Sequence, residues 1–69
     1  MTYVDDKLAE EIATAVRARV SEVYAAYGED AGSDAANQQA CEAADEVRAS
    51  YGVIKVGGRY VWEAGREPE

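Results

Sequence analysis

The sequence predicts a small α+β domain in which two antiparallel helices are followed by a C-terminal β-hairpin, in the order ααββ. Three observations predict this fold. Apolar residues recur at helical spacing in two long segments, glycines separate those segments, and a Gly-Gly pair divides two short apolar runs near the C-terminus. The 69 residues are expected to form a single domain. A domain of this size buries only about 60% of its unfolded surface, so it is marginally stable without a disulfide, a metal or a partner.

The first helix is expected over about residues 3–27. At 100° per residue its apolar side chains share one side, and this stripe comprises Leu8, Ala9, Ile12, Ala15, Val16, Val20, Val23 and Tyr27. Thr2 with an acid at Asp5 is one possible N-cap, and Asp5 or Asp6 could cap instead. Arg19 projects near the middle of the stripe. Its stem lies on the core edge and its head reaches water or a carboxylate, or else the side chain faces a partner or pairs with a buried acid.

The second helix is expected over about residues 34–51, after a short turn in which Gly28 ends the first helix and Ser33 or Asp34 caps the second. Its inner stripe is nearly all alanine and comprises Ala36, Ala40, Ala43, Ala44, Val47 and Tyr51. Such small side chains allow two helices to approach closely, so the aliphatics of the first helix should lie on these alanines. Cys41 is interpreted as a small packing residue at the edge of the stripe.

A hairpin is expected over residues 53–56 and 59–63, because a type I′ turn needs positive φ at both central positions and Gly57-Gly58 supplies them. Alternation places two sets of side chains on opposite faces: Ile54, Val56, Arg59 and Val61 on one, and Val53, Lys55, Tyr60 and Trp62 on the other. We expect the compact aliphatic face to dock on the helices, and the opposite arrangement stays open. Residues 64–69 are polar and are expected to fray.

The segment "IKVGGRY", residues 54–60, resembles the wing hairpin of small winged-helix regulators of the excisionase and MerR type. That resemblance implies a preceding helix with basic and polar contacts to DNA. Here the preceding helix carries four acids and one arginine. Phosphate contacts dominate affinity for DNA, so the family's DNA-binding function is not expected in this chain.

The composition argues against an enzyme. With no histidine and one cysteine, the usual general base, the common metal sites and an internal disulfide are missing. The adjacent acids at residues 5–6 and 10–11 are explained by their place in the first turns of a helix. No catalytic residue, metal or cofactor is therefore predicted. No signal peptide or membrane-spanning run is visible, which predicts a cytoplasmic protein.

The charge predicts the kind of partner. The net charge is −7, and residues 1–51 carry all of it, because residues 52–69 hold three acids and three bases. Such a field repels nucleic acid and membrane surfaces and attracts basic proteins. We therefore expect an acidic inhibitor or adaptor that docks on a basic, for example nucleic-acid-binding, surface of another protein. Phage anti-defence proteins such as anti-CRISPR inhibitors are an analogy in size and charge.

The predicted partner-binding residues combine helix acids with the hairpin face expected to lie outward: Glu42, Asp45, Glu46, Val53, Lys55, Tyr60 and Trp62. Tyrosine and tryptophan are frequent at binding hot spots. The alternative hypothesis is a homo-oligomerising module, a homodimer in the simplest case, in which two hairpins pair edge to edge.

Overall fold

The computed structural model describes residues 2–65 and has the predicted ααββ order. Helix α1 spans Asp6–Tyr27 and helix α2 spans Asp34–Tyr51, with a 3₁₀ turn at Gly28–Asp30 between them. Strands β1 (Val53–Val56) and β2 (Arg59–Trp62) form the hairpin. The molecule is elongated, measuring 45 × 19 × 19 Å. The predicted fraying of the tail lies, for residues 66–69, outside the described residues.

Both helices begin and end at residues suited to capping. The Asp5 carboxylate accepts a hydrogen bond of 2.9 Å from the Leu8 amide, so α1 begins three residues later than predicted. The Ser33 hydroxyl accepts from the amide of Ala36 and caps α2. Helix α2 ends at Gly52, whose φ of 75° is left-handed.

The hairpin has the predicted register, with Ile54 opposite Val61 and Lys55 opposite Tyr60. Gly57 and Gly58 have φ values of 59° and 81°. The predicted positive φ at both turn positions is therefore confirmed. Glycine tolerates positive φ better than any other residue, which is why it occupies both positions.

The N-terminal residues pair with β2 through a β-bridge that the sequence does not predict. Tyr3 forms an antiparallel β-bridge with Val61. The Val4 amide donates to the Tyr60 carbonyl at 3.1 Å, and the Trp62 amide donates to the Thr2 carbonyl at 3.0 Å. Strand β2 therefore has a neighbour on each side, and Tyr3 and Val4 lie beside it where a helix was expected.

The face of the hairpin that packs on the helices is the opposite of the one we expected. Val53 is 1% exposed and belongs to the core cluster with Val4 and Ile12. Side chains packed against this cluster include those of Tyr60 and Trp62 from the hairpin and of Leu8, Ala9, Val16 and Tyr51 from the helices. The expectation that Ile54, Val56 and Val61 face inward is wrong. Tyr60 and Trp62 carry large rings, so the face that holds them buries more apolar surface against these helix side chains than the compact aliphatic face would.

The alanine stripe of α2 is buried as predicted. Its four alanines, Ala36, Ala40, Ala43 and Ala44, are each at most 8% exposed, and helices α1 and α2 lie side by side. At the end of the pair farthest from the hairpin, the Tyr24 hydroxyl donates a 2.7 Å hydrogen bond to the Asn37 side-chain carbonyl. The tyrosine thus links the two helices where no strand covers them.

Candidate protein-binding surfaces

The acidic face of α2, which we define as Glu42, Asp45 and Glu46, lies on the side of the helix opposite the alanine stripe. All three residues are exposed. The Asp45 carboxylate forms a salt bridge with Arg48, one turn along the helix. Glu42 and Glu46 form no salt bridge with any other residue in the 2–65 range. Two carboxylates of this face are therefore left to water or to a partner.

Glu42 and Glu46 are also four residues apart on one helix. Like charges at this spacing destabilise an isolated helix by about 0.2–0.5 kcal/mol. The pair therefore contributes nothing favourable to the fold, and a cation placed between the two carboxylates by a partner would relieve the repulsion. Burial imposes no constraint on either side chain, so both can be changed without disturbing the core.

The hairpin residues predicted as partner-binding do not form one exposed surface. Val53 is buried in the core cluster, and Tyr60 and Trp62 are half-buried against it. This is a correction that follows from the reversed packing of the hairpin. Lys55 is exposed, with its ammonium 5.9 Å from the centre of the Tyr60 ring. Of the predicted set, Lys55 and the three acids are accessible.

The accessible apolar side chains lie on the other face of the strands, which we call the outer sheet face and define as Tyr3, Ile54, Val56, Arg59 and Val61. Within the described chain, the exposed large hydrophobic residues are Tyr3 at 55%, Ile54 at 39% and Val56 at 44%. Val61 lies among them at 1%. The Arg59 guanidinium stacks on the Tyr3 ring, 3.9 Å from its centre. This surface has an apolar middle and a cation at its edge.

Sequence reasoning missed Tyr3 as a surface residue of the sheet. A signal was present, because "TYV" at residues 2–4 contains only β-branched and aromatic residues and is followed by a helix N-cap. The competing signal is the capping pattern of Thr2 with Asp5, which predicts that the helix begins at about residue 3.

A shallow open depression of about 560 Å³ lies on α1 next to the end of α2. Its lining comprises Lys7, Glu10, Glu11, Thr14, Ala15, Ala18 and Tyr51.

Arg19 is exposed and pairs with Glu22 at 3.1 Å, which agrees with the interpretation that its head reaches a carboxylate. Cys41, expected to be a packing residue, is exposed instead.

Among residues 2–65, no group of three or more potential ligands is arranged to hold a metal ion. Neither described helix has the length and apolar character needed to cross a membrane.

The arrangement offers two chemically different surfaces for macromolecules, the acidic face of α2 and the outer sheet face. Comparison of the chain with protein-family profiles, with curated proteins and with solved structures gives no match.

Proposed function

We propose that this chain is a non-enzymatic, cytoplasmic inhibitor or adaptor whose acidic face of α2 docks on a basic surface of another protein. One observation carries the proposal: Glu42 and Glu46 are exposed one helical turn apart, and neither forms a salt bridge with another residue of the described chain. An exposed acidic cluster raises the rate of encounter with a positively charged partner and repels nucleic acid. The proposed partner is thus a basic protein and not DNA, RNA or a membrane.

The charge density indicates how such a partner would be bound. Residues 2–65 contain 12 acids and 6 bases, a net charge of −6 along a molecule 45 Å long. Dividing 45 Å by 6 gives about one net negative charge per 7.5 Å, whereas duplex DNA carries one per about 1.7 Å. Charge alone would therefore not displace DNA from a nucleic-acid-binding protein. An inhibitor of such a protein needs close fit at a local basic site as well as attraction.

The experiment compares two charge reversals that change the net charge equally. The first variant is Glu42→Lys with Glu46→Lys, on the acidic face. The control is Glu29→Lys with Asp30→Lys, in the exposed turn between the helices. Binding of a fluorescent lysine-rich peptide is measured by anisotropy in low salt and in about 0.3 M salt, where the screening length falls well below 10 Å.

We expect the helix variant to weaken peptide binding at least about tenfold, which corresponds to about 1.4 kcal/mol. The turn variant should weaken it less than about threefold, because its charges lie outside the acidic face. Added salt should weaken binding of the original protein more than binding of the helix variant. Equal losses in the two variants would mean that net charge alone matters, and binding indifferent to salt would overturn the proposal altogether.

A natural partner can then be sought with the same pair of proteins. The original chain and the turn variant should capture the same basic protein from a lysate in low salt, and the helix variant should not. Association rates measured for that protein should fall in the helix variant while its dissociation rate changes little, because exposed charges act mainly on the encounter.

A further inference from the structure

We propose that the outer sheet face binds the same face of a second copy of this chain, giving a two-fold symmetric dimer of stacked sheets. The exposed large hydrophobic residues of the described chain, Tyr3, Ile54 and Val56, all lie on this face around the buried Val61. Strand alternation and the Tyr3–Val61 bridge place them on the same side. A sheet face of this kind is covered in other folds by a second sheet about 10 Å away.

The charges on this face are complementary to themselves. Arg59 precedes Val61 by two residues on β2 and Glu63 follows it by two, so alternation directs both side chains to the outer face, about 13 Å apart. The Glu63 amide donates to the Gly52 carbonyl at 3.0 Å, which continues the strand pairing to this residue. One end of the strand is thus positive and the other negative.

These two charges select one of the possible symmetry axes. A two-fold axis between the sheets, perpendicular to the strands and passing at Val61, brings Arg59 of each copy against Glu63 of the other. An axis parallel to the strands would instead place the two copies of Arg59 over each other. Stacking on Tyr3 restrains the guanidinium and leaves its N–H edges free to donate to a carboxylate.

The distribution of charge over the whole molecule also suits this arrangement. Helix α1 packs on the inner face of the strands, through the cluster that contains Ile12 and Val53. Stacking the outer faces therefore leaves this acidic helix of each copy on the far side of its sheet. The strand region itself is nearly neutral, since residues 52–65 hold Lys55 and Arg59 against Glu63. Mutual repulsion of the two net negative chains is reduced accordingly.

Edge-to-edge pairing through β1 is less favourable than face stacking. By the register, the backbone groups of β1 that point away from β2 are those of Val53 and Lys55. Val53 is 1% exposed, so its backbone is covered within the monomer. Pairing centred on Lys55 would set two ammonium groups opposite each other, which destabilises a strand pair. The other side of β2 is occupied by residues 2–4.

The proposed interface is small. A standard stable interface buries about 800 Å² on each partner, and a face of five residues with three exposed apolar side chains offers less. The dimer should therefore be weak, with a dissociation constant on the order of 0.1 mM. Each dimer would carry two copies of the acidic face of α2, which strengthens binding to a partner that has two basic sites.

The test is sedimentation equilibrium from about 10 μM to 1 mM in 0.15 M salt. The original chain should change from monomer to dimer over this range. Ile54→Lys should weaken the dimer at least tenfold, since it places an ammonium in the apolar middle of the face. Ala25→Lys, which adds the same charge at an exposed position of α1, should leave the dimer unchanged. Circular dichroism and thermal melts verify that both variants are folded.

Charge exchange tests the orientation. Arg59→Glu alone and Glu63→Arg alone should each weaken self-association, because each sets like charges against one another. An equal mixture of the two variants should restore a dimer, because both contacts in the mixed dimer are again between opposite charges. The proposal is overturned if the original chain is monomeric at 1 mM, if Ile54→Lys still dimerises normally, or if the mixture fails to associate. Peptide binding by the acidic face of α2 should survive in Ile54→Lys, so the two proposals can fail independently.

Discussion

The reversed packing of the hairpin makes a sharp prediction about two valines of β1. Val53 and Val56 lie in one strand, three residues apart, with exposures of 1% and 44%. Replacing either by alanine removes the same two methyl groups and the same preference for strand conformation. The strand preference of valine over alanine is worth up to about 1 kcal/mol and is lost in both variants. The difference in stability between the two variants therefore measures the effect of burial alone.

The magnitudes follow from the burial of each side chain. Two fully buried methyl groups contribute about 1.6 kcal/mol by transfer, and the cavity left in a packed core raises the loss for Val53→Ala to about 2–3 kcal/mol. Val56 has roughly half its surface in water, so its burial term is below about 1 kcal/mol. For a domain of this size 1 kcal/mol shifts the melting temperature by about 4–8 °C. Val53→Ala should therefore melt about 5–15 °C below Val56→Ala.

The assay is thermal and urea unfolding at about 10 μM protein, a concentration at which a weak dimer is largely dissociated. Far-UV circular dichroism follows the helices, and Trp62 fluorescence follows the core cluster. The urea slopes should agree within error, because both variants unfold the same surface. Equal melting temperatures, or a larger loss in Val56→Ala, would refute the assignment of the inner face and restore the orientation expected from the sequence.

Other predictions concern the turn, the helix contact and the pairing of residues 2–4 with β2. Gly58→Val should lower the unfolding free energy by more than about 1 kcal/mol through its positive φ alone, as measured in urea. Ala40→Leu should cost about 1–3 kcal/mol by overpacking the helix contact, whereas Ala35→Leu, on the exposed side of α2, should be nearly neutral in the same melts. Val4→Pro removes the amide that donates to the Tyr60 carbonyl and should cost about 1–3 kcal/mol, whereas the Tyr3 amide donates no hydrogen bond to β2, so Tyr3→Pro should cost less; amide hydrogen exchange reports both.

The helices and the turns were predictable because each depends on neighbouring residues. Gly28 and Gly52 end the helices, and Gly57-Gly58 sets the register of the hairpin without help from the rest of the chain. The sequence leaves the start of α1 open, since three residues near the N-terminus can cap a helix. The structure selects Asp5, and this choice frees Tyr3 and Val4 to pair with β2.

The inward face of the hairpin could not be read from alternation. Both faces are largely apolar, and periodicity assigns residues to faces without saying which one is buried. Val61 shows why: it is 1% exposed although it lies on the outward face, where its direct partners on the two sides are Ile54 and Tyr3. The pairing with Tyr3 joins residues that are nearly the whole length of the chain apart. No local pattern in the hairpin contains this information.

The contrast between local patterns and long-range contacts also explains which part of the candidate surface was predicted correctly. The acidic face of α2 follows from helical periodicity and an alanine stripe, both of which are local, and its three acids are exposed as expected. The apolar part of the predicted surface depended on the orientation of the hairpin. In the structure Trp62 and Tyr60 pack against the core cluster, and Tyr3 and Ile54 are exposed instead. The acidic and apolar surfaces consequently belong to different elements. Charge reversal on α2 and lysine substitution on β1 can therefore separate attraction to a basic partner from self-association.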